Sequence, residues 1–275
     1  CKYYSSPSII NCTISGNSAN WSGGGGIVCY NSSPSITNCI ISENKACSGS
    51  GGGIYCSGTS SPNITNCVIT KNNASSNDGG IYCCGNSSLF IYNNIITENG
   101  TTSINSYGIY NDGGNPIINY NCVWGNGLSS TNNYFGCSAG IYDISVNPQF
   151  IDGNLRLGSS SLCIDAGSNT AQGISLTDKD GNSRIVNGII DMGAYEYQGT
   201  SYSSSNSISG MVTYASNKSI SGAMVKIVFE KKTKTLDLKG TTFTSDNGTY
   251  TITGLPIGTY TIRASYDDFY SYRTV

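Results

Sequence analysis

Pro34-Ser-Ile-Thr-Asn-Cys-Ile-Ile-Ser-Glu-Asn44 has near-copies at an almost fixed interval on both sides. Upstream stands Pro7-Ser-Ile-Ile-Asn-Cys-Thr-Ile-Ser-Gly-Asn17, and downstream Pro62-Asn-Ile-Thr-Asn-Cys-Val-Ile-Thr-Lys-Asn72. Two looser copies follow, Leu89-Phe-Ile-Tyr-Asn-Asn-Ile-Ile-Thr-Glu-Asn99 and Pro116-Ile-Ile-Asn-Tyr-Asn-Cys-Val-Trp-Gly-Asn126. Taken at one position, the series Cys12, Cys39, Cys67, Asn94, Cys122 advances in steps of 27, 28, 27 and 28. A period of this length in a sequence poor in helix formers marks a solenoid, in which each repeat buries its apolar face only against its neighbours.

A second block fills the other half of each repeat: Gly26-Ile-Val-Cys29, Gly53-Ile-Tyr-Cys56, Gly80-Ile-Tyr-Cys83, Gly108-Ile-Tyr-Asn111 and Gly140-Ile-Tyr-Asp143. Both blocks alternate with period 2, so each is a strand with one buried face. Ile36, Cys39, Ile41, Ile54 and Cys56 face inward on this pattern, while Ile40, Ser42 and Tyr55 face out. Each repeat becomes one coil of about three short strands. The predicted fold is all-β: a right-handed parallel β-helix over residues 1–145, closed at its C-terminal end by residues 146–199.

Stacked coils turn equivalent residues into ladders spaced by ~4.8 Å. Asn11, Asn38, Asn66, Asn93 and Asn121 are expected at one bend, where asparagine tolerates the left-handed region and its amide can bond the next coil. Asn17, Asn44, Asn72, Asn99 and Asn126 form a second corner column, and Ala19, Ala46 and Ala74 a small inward site. Cys12, Cys39, Cys67 and Cys122 make one cysteine column; Cys29, Cys56 and Cys83, in phase with Cys1, make another. Buried thiols acting as small hydrophobes are expected there, because stacked parallel neighbours reach disulfide torsions only with strain. The column Gly16, Glu43, Lys71, Glu98, Gly125 alternates charge between neighbours, which avoids stacked like charges.

Composition narrows the function classes. A net charge of −2 without a basic cluster gives no footprint for nucleic acid or an anionic membrane surface. No apolar run approaches the ~18 residues that span a bilayer. Histidine is absent, which removes Ser-His-Asp triads, Cys-His dyads and imidazole metal sites. The Gly23–Gly26 run precedes a strand and reads as a tight turn. The chain begins at Cys1 without Met, which reads as a fragment or processed product, with an acylated lipoprotein cysteine as the alternative.

After Ile141 the rhythm breaks into Asn147-Pro-Gln-Phe-Ile-Asp152, Leu155-Arg-Leu157, Ser161-Leu-Cys-Ile-Asp-Ala-Gly167, Asp178-Lys-Asp-Gly-Asn182 with Arg184, and Asp191-Met-Gly-Ala-Tyr-Glu-Tyr197. This series, with the coils from about residue 79, resembles the C-terminal part of choice-of-anchor Q domain surface proteins, which carry a pectate-lyase-like right-handed β-helix. The Gly-Gly-Ile-Tyr and Asn-Cys blocks also look like polymorphic outer-membrane protein repeats. The resemblance implies a secreted or surface-attached protein and no established reaction. Residues 200–206 read as a Ser-rich linker. From 207 to 275, Ser221-Gly-Ala-Met-Val-Lys-Ile-Val228 and the Asp-Asn-Gly and Leu-Pro-x-Gly turns read as a β-sandwich. These residues resemble the carboxypeptidase regulatory-like, transthyretin-like domain, whose usual length implies that a last strand lies beyond Val275.

Two candidate sites follow. Tyr55, Tyr82, Tyr110 and Tyr142 form an outward column suited to sugar rings or a protein partner. Asp178, Asp180 and Asn182 have the loop spacing of a Ca²⁺ site without the distal glutamate of an EF-hand, so a polar turn is the favoured reading with Ca²⁺ as the alternative, and no other cofactor is expected. Polysaccharide lysis or hydrolysis on a β-helix groove would need clustered carboxylates, and no coil column carries two adjacent acids. The expected function is therefore a non-catalytic extracellular or cell-surface adhesin or fibre component. Its partner would be a glycan, another surface protein or copies of itself end to end; a polysaccharide-active enzyme and a self-assembling filament subunit are the alternatives. Sequons such as Asn31-Ser-Ser, Asn86-Ser-Ser and Asn99-Gly-Thr permit glycosylation.

Overall fold

In the computed structural model the repeats stack as a parallel β-solenoid, followed by a separate C-terminal unit; the chain divides into residues 1–198 and 199–275. The structure describes all residues except 21–22, 77–78, 101–105, 129–131, 200–207, 215–217, 231–235, 253–259, 267–268 and 275. The predicted linker and the Leu-Pro-x-Gly turn lie outside the described residues. Every named element is a strand, so among the described residues no helix is long and apolar enough to cross a membrane.

The first three coils each contribute to four parallel sheets rather than three, and among the described residues the last two coils to three. The first sheet stacks Ser8–Ile10, Ser35–Thr37, Asn63–Thr65, Phe90–Tyr92 and Ile117–Asn119. The second stacks Thr13–Ser15, Ile40–Ser42, Val68–Thr70, Ile95–Thr97 and Cys122–Trp124. A third holds only the two-residue strands Ser18–Ala19, Lys45–Ala46 and Asn73–Ala74. The fourth stacks Ile27–Tyr30, Ile54–Ser57, Ile81–Cys84, Ile109–Asp112 and Tyr134–Phe135. The interior is the predicted one: Ile36, Cys39, Ile41, Ile54, Cys56 and their apolar equivalents in the later coils are buried in one core, while in the first coil Ile9 and Ile14 are half-buried and Cys12 is exposed.

Corners explain the choice of residue. Asn11, Asn38, Asn66 and Asn93 all take positive φ, between 52° and 56°, the left-handed conformation that asparagine tolerates. Gly16, Glu43, Lys71, Glu98 and Gly125 do the same at the next corner, which is why two of the five are glycine. Lys71 Nζ lies 3.9 Å from Glu98, with both side chains about half exposed, so the pair contributes little. At Gly25 and Gly52 a Cβ would meet the backbone of the neighbouring coil within 2.4 Å; these glycines let coils approach where side chains would hold them apart.

The last coil departs from the predicted register. Ile95 pairs with Cys122, so Asn121 stands where Cys39, Cys67 and Asn94 stand, and Tyr120 takes the left-handed corner at φ 56°. Asn121 thus leaves the corner column and Cys122 leaves the inward cysteine column. The physical reason is that a buried amide and a buried thiol do the same work here. Cys39 N donates to Cys67 Sγ at 3.4 Å, Cys67 N to Asn94 Oδ1 at 2.8 Å, and Asn94 N to Asn121 Oδ1 at 3.0 Å. The thiols are weaker members of a hydrogen-bonded ladder, not only apolar filler. Asp143 ends it, accepting from both Asn121 N and Asn121 Nδ2.

Residues 146–198 run back along the flank of the stack instead of forming a plug over its end. Asn93 exchanges hydrogen bonds with Ser168, Asn66 Nδ2 donates to Asp191 O, Asn38 Nδ2 to Thr177 O, and Lys179 Nζ reaches Asn11 O in the first coil. The corner amides therefore bond this strap, not the next coil. Beneath it Ile40, Val68, Ile95 and Cys122, which face outward from the second sheet, are buried against Leu157, Cys163, Met192 and Ala194.

In the second unit, Ile208–Met211 pairs with Thr249–Ile252, while Leu236–Phe243, Met224–Glu230, Tyr260–Tyr266 and Phe269–Thr274 form an antiparallel sheet. Val225, Ile252 and Ile262 are its buried core, giving a β-sandwich-like domain.

Candidate functional site

Fourth-sheet register brings Tyr55, Tyr82 and Tyr110 together and continues the column with Phe135. Tyr142 is not part of it. It lies in a turn, about half exposed, with its ring stacked on Tyr120 at 4.6 Å. The spacing carried this signal: Tyr110 to Tyr142 is 32 residues, off the 27–28 rhythm.

Within the column, the Tyr55 and Tyr82 rings lie 5.3 Å apart and 12° from parallel, Tyr82 and Tyr110 5.5 Å apart at 32°, and Tyr110 and Phe135 4.3 Å apart at 25°. Each inner ring thus spends both faces on its neighbours. At the upper end Gly23 lies against Tyr55, where a Cβ would come within 2.7 Å of the ring. What the inner rings offer to solvent is their edges, together with the Tyr82 hydroxyl that donates to the exposed Asp112 at 2.9 Å, while Phe135 at the end of the column is itself exposed. Burial, reinforced by that carboxylate, pushes the Tyr82 phenol well up, so it stays a hydrogen-bond donor.

The Asp178–Asn182 loop does not assemble a cation site. Asp178 is fully buried, and its Oδ1 accepts from the backbone N–H groups of Asp180 and Asn182 while its Oδ2 accepts from Glu196 N. Those donors point positive charge where a cation would bind. Asp180 instead pairs with Arg156 at 2.8 Å, and Asn182 meets Asp178 through its backbone.

Sequence reasoning missed a buried ionic cluster that organises the strap. Arg184 is 1 % exposed; its Nη2 donates to the carbonyls of Asp191 and Gly193, and its Nε lies 3.9 Å from Glu196. Asp191 accepts from Asp165 N and Tyr197 N, and Glu196 from Val186 N and Asp191 N. The acids act as templates for irregular backbone, each carboxylate oxygen satisfying an N–H that no sheet reaches. Asn187-Gly188, both at positive φ, turn the short hairpin of Ile185–Val186 and Ile189–Ile190 between them.

Burial pushes Asp191 up to about 7 and Glu196 up to about 8, while the same burial lowers Arg184. The sign follows directly. An acid with a raised folded value holds its proton in the native state where the unfolded chain has released it, so stability falls as pH rises. The window runs from the ordinary carboxylate range near ~4 to the folded values. Thermal melts of residues 1–198 are expected at a lower midpoint at pH 8.5 than at pH 5.5, with Glu196→Gln flattening the dependence. A profile that Glu196→Gln leaves unchanged would place the effect elsewhere.

No curated protein and no solved structure matches the chain. Residues 207–275 match the carboxypeptidase regulatory-like domain, so the chain joins a parallel β-solenoid to a β-sandwich-like module of that family.

Proposed function

We propose that this is a non-catalytic secreted or cell-surface protein whose solenoid acts as a rigid display scaffold, presenting its aromatic flank to a protein partner. The observation that carries the reading is the column Tyr55–Tyr82–Tyr110–Phe135, joined at its lower end by Tyr107, whose ring lies 5.1 Å from that of Phe135. It belongs to the fourth sheet, whereas the strap's hydrogen bonds go to the first sheet, its corners and, through Cys122, the second sheet. Ring edges and a carboxylate-linked hydroxyl suit a protein surface better than a sugar, whose stacking would need a free ring face. Aromatic anchors of this kind dominate protein interfaces. The ordered motifs from Asn147 to Tyr197, which resemble those of choice-of-anchor Q domain proteins, support a secreted or surface setting.

Two measurements test the proposal. Antibody against residues 1–198 should label intact, unpermeabilised cells of the encoding organism; labelling only after permeabilisation would place the protein inside. Beads coated with the chain should adhere to those cells, and protease pretreatment of the cells should abolish adhesion where glycosidase does not. Tyr82→Ser with Tyr110→Ser should weaken adhesion by about tenfold or more, the factor for ~1.4 kcal/mol of lost anchor contact. Unchanged adhesion with a lowered unfolding midpoint would show the column to be a structural spine alone.

A further inference from the structure

Tyr55 and Tyr82 stand opposite each other on neighbouring parallel strands of the fourth sheet, in the second and third coils. Their rings stack with centroids 5.3 Å apart and planes 12° from parallel. The two hydroxyls reach equivalent places. Tyr55 Oη accepts from Cys84 Sγ at 3.8 Å, Tyr82 Oη donates to Asp112 Oδ2 at 2.9 Å, and Cys84 and Asp112 are themselves opposite each other. Each phenol thus bonds the residue two places on in the next coil, on the same face of the sheet. The rings are therefore related by a shift of one coil, and the carbons beside one hydroxyl face those beside the other.

This pair differs from the other aromatic contacts. Tyr82 and Tyr110 are tilted by 32°, and Tyr110 has Phe135 stacked on it at 4.3 Å. Tyr120 and Tyr142 stack at 4.6 Å and 21°, but they come from a bend and a turn, so no strand register aligns their hydroxyl ends. The pair Tyr55–Tyr82 also has a proton acceptor in place: the exposed Asp112 carboxylate is within hydrogen-bond reach of the Tyr82 phenol. Burial holds that phenol neutral, so its electron leaves together with its proton.

We propose that Tyr55 and Tyr82 form an oxidation site that closes to a dityrosine: a peroxide-driven one-electron oxidant joins the two rings carbon to carbon and welds the second coil to the third. Each phenol loses one electron and one proton, Tyr82 passing its proton to Asp112. The two phenoxyl radicals pair their odd electrons in a new bond between ring carbons ortho to the hydroxyls. The hydrogen on each of those carbons then moves to the neighbouring oxygen and restores two phenols. The pair has lost two protons and two electrons; breaking the oxidant's O–O bond takes up the electrons, and the protons pass to solvent. Cys84 is the competing reductant, since its thiol hydrogen lies on Tyr55 Oη and its transfer returns that radical to the phenol. The chemistry needs neither the proposed partner nor the proposed location.

The test illuminates the dilute full chain with a ruthenium tris-bipyridine sensitiser and persulfate, isolates the monomer, and maps its peptides. Cys84→Ser runs beside it, because that variant lacks the competing thiol hydrogen. The expected product in both is a peptide linking Tyr55 to Tyr82, lighter by two hydrogens than its separated parts and carrying blue dityrosine fluorescence, with the larger yield from Cys84→Ser. Asp112→Asn keeps the shape but not the base, and should slow formation of the link about tenfold or more. Tyr55→Phe should abolish it. Absence of the link from both chains, or a link formed no faster than those between tyrosines outside the column, would overturn the proposal; the wild-type map alone decides this if a variant misfolds.

Discussion

Replacing Asn72 with alanine is expected to lower the stability of the solenoid by about 3–4 kcal/mol, read from urea unfolding of residues 1–198. The side chain is completely buried at the centre of the second corner column. Its Oδ1 accepts from Asn44 N at 3.0 Å and Asn44 Nδ2 at 2.9 Å, and its Nδ2 donates to Ile41 O at 2.8 Å and Asn99 Oδ1 at 3.0 Å. Alanine deletes all four bonds and leaves the Asn44 amide N–H without its acceptor in a dry interior. A net bond is worth ~1 kcal/mol, and an orphaned buried donor costs ~1–3 more, with relaxation returning part. The same substitution at Asn17, which is exposed and bonds only one neighbouring coil, is expected to cost about 1 kcal/mol or less. Equal losses at the two positions would sink the ladder argument. Asn72→Asp separates chemistry from shape: it keeps the acceptor but turns a charged oxygen toward Ile41 O and Asn99 Oδ1, so it should be at least as damaging as alanine. An aspartate tolerated at neutral pH would mean that the amides run the opposite way.

How much of this was readable from the sequence divides along the boundary between periodic and aperiodic structure. Period-2 alternation within a 27–28 residue period placed Ile36, Cys39, Ile41, Ile54 and Cys56 inside, because a repeated coil offers one answer to which face is buried. Matching by residue identity failed where two residue types serve one position. Cys122 looked like another Cys39, yet Asn121 fills that place, and Tyr120 at the left-handed corner hid the register behind an unusual residue for that conformation. Tyr142 was misplaced in the same way, although its 32-residue step contradicted the rhythm. The strap was illegible for a different reason. Its anchors join residues 75 to 168 positions apart, such as Ser168 with Asn93 and Lys179 with Asn11, and no local pattern encodes such pairings. One clue was available: Ile40, Val68 and Ile95 are apolar on a face assigned to solvent, and an apolar stripe of that regularity calls for a cover. At Asp178–Asn182 the polar turn preferred over calcium agrees with an Asp178 carboxylate that accepts from the N–H groups of Asp180 and Asn182, as aspartates in tight turns often do.

Arg184→Met should cost about 3–5 kcal/mol, the range for stripping one partner from a buried ionic cluster. Methionine fills most of the volume but cannot donate to the carbonyls of Asp191 and Gly193, and it leaves the buried carboxylates of Asp178, Asp191 and Glu196 without their cation. The damage should be local, because the coils keep their own ladders. Amide exchange should quicken through residues 168–197, where the strap's hydrogen bonds depend on this cluster, while the Ile41, Ile69 and Ile96 amides stay protected. Lysine at 184 should recover only part of the loss, since a single ammonium lacks the planar fork that reaches two carbonyls. The pH dependence then identifies the cause. If uncompensated charge is what methionine exposes, protonating the acids removes the penalty, so the gap between wild type and Arg184→Met should be widest near pH 8 and narrow toward pH 5, below the raised values of Asp191 and Glu196. A gap that stays constant across that range would assign the loss to the two missing carbonyl bonds and to packing. In that case Arg184→Met combined with Glu196→Gln should simply add, whereas the electrostatic account requires the double variant to lose clearly less than the sum.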